Sequence, residues 1–209
     1  DVYKRQITDT VVNVTAIHDN ANISIAGSAV TVTDAATLAN ATAINDFTTG
    51  QVTLNSVEDT YSKIQDIKLI PDAQVNMGAA AVKVTDNVTK TEVDDLRTDT
   101  TGDITIVTVT EDKTDLAAID GFTDVILSTA NITVSDDVNK TEVDIINSYN
   151  DVSGVVTVSS ITDTFNNISA VQGTAGISIE TSLVTATDAV TLNNANSLNG
   201  FTTGQVTLN

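Results

Sequence analysis

The sequence predicts an α/β repeat solenoid, in which parallel β-strands alternate with short helical turns and wind with a right-handed sense. Three observations predict it: gapless internal self-similarity, two columns of strand-like alternation, and linkers whose apolar residues recur at helical spacing. Residues 7–55 and 161–209 are one segment written twice at a fixed offset of 154, with more than half of the positions identical. In a repeat array each unit buries its apolar face only against its neighbours, so architecture follows from stacking.

The offset resolves into smaller steps when the acidic residue closing each apolar run is followed. Asp34, Asp86, Asp136 and Asp188 recur at spacings of 52, 50 and 52, and Asp9, Asp59, Glu111 and Asp163 recur between them at 50, 52 and 52. Residues 7–209 are therefore expected to form a single array of about four repeats of 50–52 residues, or eight half-units.

The strands come first in each half-unit. Val30, Val82, Ile132 and Val184 align, as do Val32, Val84, Val134 and Ala186, with Thr31, Lys83, Thr133 and Thr185 between them. Alternation of period two buries one face and leaves the other polar, and threonine suits the pleat through its branched Cβ. A second strand column runs through Val52, Ile104, Val156 and Val206, with Leu54, Ile106, Val158 and Leu208.

In the first linker Ala36, Ala41 and Ile44 recur as Val88, Val93 and Leu96, then Val138, Val143 and Ile146, then Val190, Ala195 and Leu198. In the second, Val14 and Ile17 recur as Ile64 and Ile67, Leu116 and Ile119, then Ile168 and Val171. Spacings of five and three suit short helices, although asparagine and threonine weaken them. Lys90 and Lys140 stand where Leu38 and Leu192 sit, which reads as a weakened helix core. Strands about 4.8 Å apart cannot match helices about 10 Å wide, so full helices imply a stack curved like a leucine-rich repeat.

Residues 1–6, Asp-Val-Tyr-Lys-Arg-Gln, read as the translation of GAT GTG TAT AAG AGA CAG, a transposase adapter used in sequencing libraries. They are expected to be an artefact, because the repeat begins at Ile7. The first copy continues from Asn55 into "SVEDTYSKI" where the second stops at Asn209, so truncation at the C-terminus is expected, and with it an internal fragment of a longer chain.

Composition excludes several classes of function. With 28 acidic against 9 basic residues the formal charge is -19, a field that repels nucleic acid and anionic lipid alike. No apolar run is long enough to span a bilayer. The absence of cysteine rules out disulfides and thiolate metal sites. An enzyme needs a constellation, and none forms: the single histidine, His18, has Lys68, Asp120 and Gln172 as its equivalents, which marks a solvated position. Aromatic residues are 3%, Arg97 is the sole arginine outside the adapter-like stretch, and Tyr61 and Phe165 align on what reads as the apolar linker face. No catalytic residue and no required cofactor are expected.

The acidic columns are the most tempting sites. An aspartate just before a helix accepts backbone N–H bonds and complements the helix dipole. The alternative is calcium bound between coils by Asp34, Asp86, Asp136 and Asp188, since stacked carboxylates repel unless neutralised; no DxDxDG loop or glycine-rich nonapeptide accompanies them. The threonine pairs, such as Thr31 with Thr33, suggest an ice-binding ladder, but Lys83 with Thr85 breaks it. Seven Asn-x-Ser/Thr sequons, Asn13 to Thr15 among them, follow from a composition rich in both residues.

The string "VTVTDAATLANATAINDFTTGQVTL" followed by "SVEDTYSKI" or "SITDTFNNI" resembles the tandem repeats of large bacterial secreted and cell-surface adhesin-like proteins. The resemblance covers essentially residues 7–209, and "DNVTKTEVD" and "DDVNKTEVD" depart from its D-A-A-T-L form. It implies a non-enzymatic structural or adhesive segment, extracellular or on the bacterial surface, whose partners are neighbouring repeats of the same longer chain. An alternative is a module that binds a glycan or protein through the outward sheet face, with Lys83, Thr133, Thr53 and Thr157 in contact. A second alternative is a calcium-stabilised repeat domain appended to an enzyme.

Overall fold

A computed structural model describes residues 5–70, 75–150 and 153–209. The fold is parallel α/β: among these residues twelve strands alternate with eight helices. The chain divides into two compact units, Asp1–Asp86 with Glu92–Thr105, and Asn87–Thr91 with Ile106–Asn209. The last residues of one strand and the first of the next helix thus belong to the second unit.

The first unit runs β1 (Gln6–Asp9), α1 (Val11–Asp19), β2 (Ala29–Ala36), α2 (Leu38–Phe47), β3 (Val52–Asp59), α3 (Tyr61–Ile67), the two-residue β4 (Val75–Asn76), β5 (Ala81–Val88) and α4 (Lys90–Asp99). Arg5 and Gln6, which the sequence assigns to the adapter-like stretch, take part in this arrangement: the Arg5 carbonyl accepts from Ala29 N and Gln6 pairs opposite Ala29. The rest of that stretch, residues 1–4, lies outside the described residues. Val30, Val32, Val52, Leu54, Val82 and Val84 are buried, as the alternation requires.

The second unit runs β6 (Ile104–Glu111, of which Ile104 and Thr105 fall in the first unit), α5 (Lys113–Asp120), β7 (Val125–Ile126), β8 (Asn131–Val138), α6 (Lys140–Asn147), β9 (Val156–Asp163), α7 (Phe165–Gln172), β10 (Ile177–Ser178), β11 (Leu183–Ala186), α8 (Leu192–Phe201) and β12 (Val206–Leu208). Ile106, Ile132, Val134, Val156, Val158 and Val184 form its buried strand face, and Leu116, Ile119, Val143, Ile146, Ile168 and Val171 pack from the helices above.

The linkers are α-helices of seven to ten residues. Helices this short are marginal alone and persist through packing and capping. The N-cap residues are Thr10, Thr37, Thr60, Asp112, Asn139, Thr164 and Thr191, and Thr37 with Asn40 and Asn139 with Glu142 form capping boxes.

Three expectations change. Ala36, Val88 and Val138 close the strands rather than open the helices, so the five-residue spacing straddles a strand–helix junction. Leu38 and Leu192 occupy the first helical position, where Leu192 is 79% exposed, so lysine at Lys90 and Lys140 removes nothing from the core. Lys90 Nζ lies 5.7 Å from the Phe122 ring centroid, and Lys140 Nζ pairs with Asp144. Tyr61 and Phe165 occupy the same first position, half-buried, with the Tyr61 hydroxyl donating to Asp95 at 3.0 Å.

Strand register alternates between two patterns within each unit. Strands β2 and β3 pair along their length, Val30 opposite Val52 and Ala36 opposite Val57, with one extra residue in β2 between Val32 and Ala35. The same bulge separates Val134 from Asp137 where β8 meets β9. Strand β3 then offers only its second half to β5, Val57 opposite Val82, while its first half takes β4, Val52 opposite Val75. Strand β9 divides in the same way between β11 and β10. The bulges hold Asp34 and Asp136, and an inserted residue is the usual device for re-aiming a side chain out of the pleat.

Candidate functional site: an acidic column joined to helix N-termini

The first backbone N–H of an α-helix has no partner inside the helix. Here that donor is taken up by the acidic residue of the following half-unit. Val11 N donates to Asp34 Oδ1 at 2.8 Å, Leu38 N to Asp59 Oδ2 at 3.1 Å and Tyr61 N to Asp86 Oδ1 at 2.8 Å in the first unit. In the second, Lys90 N donates to Glu111 Oε1 at 2.7 Å, Lys113 N to Asp136 Oδ1 at 3.0 Å, Lys140 N to Asp163 Oδ2 at 2.9 Å and Phe165 N to Asp188 Oδ1 at 2.8 Å. The acidic residues cap helices, but the helix each one closes is that of the preceding half-unit, 21 to 25 residues earlier.

One of the two series also closes its own helix. Asp9, Asp59 and Asp163 each accept through Oδ1 from the N–H of the next residue, Thr10, Thr60 and Thr164. Burial alone would raise the Asp59 carboxyl, but the N–H groups of Thr60 and Leu38, with Lys63 at 3.1 Å, outweigh it and hold the group below its ordinary value of 3.8. Asp163 is held low against burial by Lys140 N, the Asn167 amide and Thr164 N. Asp9 is lowered by the Asn13 amide and then by Thr10 N. Each carboxylate is thus an ion whose oxygens are already engaged by donors of the same chain.

A second column, which the sequence reading passed over, lies just beyond the C-terminal ends of α2, α4, α6 and α8 and ties the chain there to the carbonyl that precedes a strand. Thr48 Oγ1 donates to the Ser28 carbonyl at 2.6 Å, Thr100 Oγ1 to Ala80 at 2.6 Å, Asn150 Nδ2 to Ala130 at 3.3 Å and Thr202 Oγ1 to Ser182 at 2.7 Å. Two residues beyond each threonine is a glycine whose missing Cβ would lie 2.1 Å from Ser28 O at Gly50 and 2.3 Å from Ala80 O at Gly102, so the chains could not approach with any other residue there. The signal was present as the Thr-Thr-Gly triplet at 48–50, 100–102 and 202–204.

The remaining sequence candidates are placed as follows. Asp34, Asp86, Asp136 and Asp188 each spend one carboxylate oxygen on a helix N–H, and among the described residues no group of three or more His, Asp or Glu side chains is placed to hold a metal ion. His18 stacks on Phe47 with ring centroids 3.8 Å apart and lies 3.2 Å from Asp19. Lys83, Thr133, Thr53 and Thr157 all lie on the solvent side of their strands, with Lys83 Nζ 2.8 Å from Glu58. Threonines stand opposite one another at Thr31 and Thr53 and at Thr110, Thr133 and Thr157, while Glu58 opposite Lys83 interrupts the row. Among the described residues no helix is long and apolar enough to cross a membrane.

Compared with known proteins, the chain matches no family model, no curated protein and no solved structure.

Proposed function

We propose that the chain is a non-enzymatic structural segment, a right-handed solenoid spacer of a large exported bacterial surface protein whose role is to set length and present an acidic, threonine-rich face. The observation that supports this is the column of cross-half-unit bonds. Seven acidic residues in succession, the groups best suited to chemistry in a chain with one histidine, are committed to joining each half-unit to the next. Such nearest-neighbour joints make length additive in the number of repeats.

Small-angle scattering from dilute chains carrying residues 7–209 once and twice tests it. A solenoid spacer should about double its maximum dimension. Growth of about 1.3-fold, the scaling of a compact globule, overturns the reading. Binding of glycan or protein by the outward face is the second reading, favoured by the row Thr110, Thr133 and Thr157; substitution of Thr133 by lysine should abolish binding of a glycan found by array screening and leave the scattering unchanged.

A further inference from the structure

The groove between α5 and α6 is lined unlike its counterparts. At the first position of the equivalent helices the other copies carry Val11, Tyr61 and Phe165, all half-buried. The Tyr61 side chain reaches from α3 to α4, where its hydroxyl donates to Asp95 at 3.0 Å, and one turn further on Gln65 spans the same groove to Asp99 at 2.8 Å. Side chains of the protein thus cross the groove there, one of them an aromatic ring.

Between α5 and α6 the equivalents of Tyr61 and Gln65 are Lys113 and Ala117, and those of Asp95 and Asp99 are Ile145 and Tyr149. The Lys113 ammonium is drawn to Glu142 at 3.0 Å and to the Asp137 carbonyl at 3.1 Å, and alanine is too short to cross. A cavity of about 190 Å³ results, lined by Lys113, Ala117, Glu142, Ile145, Ile146 and Tyr149. Ile145 is 51% exposed at its mouth, where other copies place Asp95 and Ser197.

We infer that this cavity binds a neutral, single-ring aromatic molecule, the free counterpart of a tyrosine or phenylalanine side chain. Its size is adequate, since an apolar cavity of roughly 150 Å³ holds benzene. The repeat itself names the occupant, because Tyr61 and Phe165 supply a ring at the position that Lys113 takes here. Tyr149 offers a stacking face: Phe47, its equivalent, stacks on His18 with centroids 3.8 Å apart and planes 10° from parallel, whereas the position of His18 is held by Asp120, which brings no ring. The ligand is neutral because Lys113 and Glu142, the charges of the lining, offset each other, and the -19 of the chain opposes an anion. Burial, and then the charge of Asp120, hold the Tyr149 hydroxyl above its ordinary value of 10.0, so it adds no charge at neutral pH. The inference is independent of the spacer reading, since it concerns one pair of helices.

Titration of the 209-residue chain with para-cresol, followed by amide-resolved NMR, tests it. Shifts should saturate with a Kd on the order of 1 mM and cluster at residues 113–117 and 142–149. Lys113→Phe, which supplies a ring as Phe165 does, should abolish them and leave the rest of the spectrum unchanged; Ala117→Gln, after Gln65, should do the same with a different side chain. Benzoate, of similar size but anionic, should bind at least tenfold more weakly. N-acetyltyrosinamide carries the cresol ring on a peptide unit and should bind no more tightly than cresol. The inference is overturned by shifts that do not saturate below about 20 mM or that scatter over the chain, by folded variants that still bind, by benzoate binding as well as cresol, or by a tyrosinamide that binds tenfold tighter and so marks a site for a partner's side chain.

Discussion

Strands β8 and β11 begin alike, as Asn131-Ile-Thr-Val and Leu183-Val-Thr-Ala, and both lead through an aspartate to a capped helix. Yet β8 continues for eight residues and buries Val138, whereas β11 stops after four and leaves Val190 half-exposed. The difference lies in the neighbour. Val138 has Ile161 of β9 opposite it, and among the described residues Val190 has no strand partner, β12 pairing with β11 only as far as Ala186 opposite Leu208. The two strands share a local pattern, and the longer of them is the one whose second half has a ladder partner.

The harshest way to break such pairing is Val134→Asp, which places a charge in a fully buried position between β6 and β9. Burying it unpaired costs several kcal/mol, and hydrogen exchange should show protection lost in β6 and β9 as well as in β8. Loss confined to residues 130–136 would make the coils independent. Next in size is Gly154→Ala, whose Cβ would meet Ala130 O at 1.9 Å; we expect about 2–4 kcal/mol in urea denaturation, because two backbones must part.

Asp163→Ala and Asp9→Ala compare a carboxylate that accepts from another half-unit with one that accepts, among the described residues, only from its own. The first leaves Lys140 N without its acceptor and should cost about 1–2 kcal/mol, while the second, at a residue that among the described residues accepts only from Thr10 and Asn13 of its own half-unit, should cost about half of that or less. Equal effects would show that the carboxylate serves its own helix alone.

Acid should expose the same joints. Asp59 and Asp163 titrate below their unfolded value of 3.8, so the unfolded chain takes up protons first as pH falls. Their stabilisation is complete above about pH 5 and is lost as pH drops through the depressed folded values, and melting temperature followed from pH 6 to pH 2 should decline accordingly. Asp59→Asn with Asp163→Asn should flatten that decline. The smallest effect is expected from calcium. Because each Asp34-type carboxylate already accepts a helix N–H, millimolar calcium should shift the melting temperature no more than magnesium at matched ionic strength; a calcium-specific rise above about 10 °C, abolished by Asp86→Asn with Asp136→Asn, would make the column a metal site.

Repetition made much of this legible. Four copies of one pattern gave the strand columns from Val30 to Val184, the helical linkers from Ala41 to Leu198 and the acidic columns themselves, because burial in a parallel α/β coil imposes a period that survives substitution. The acidic columns read as helix caps, whereas the N-cap positions themselves are held by Thr10, Thr37, Asp112, Asn139, Thr164 and Thr191, which the sequence reading does not single out. What the sequence could not assign was the partner. Nothing local says that Asp59 closes the helix of Leu38 rather than only its own, that Gly50 is needed by the carbonyl of Ser28, or that β3 divides its edge between β4 and β5. Each is a contact between segments more than 20 residues apart, and only the register in which coils lie against one another decides it. Composition and period determined the elements of this protein; the tertiary structure decided which half-unit completes which, because donors such as Leu38 N and Lys140 N and the second halves of β2 and β8 are satisfied by another half-unit.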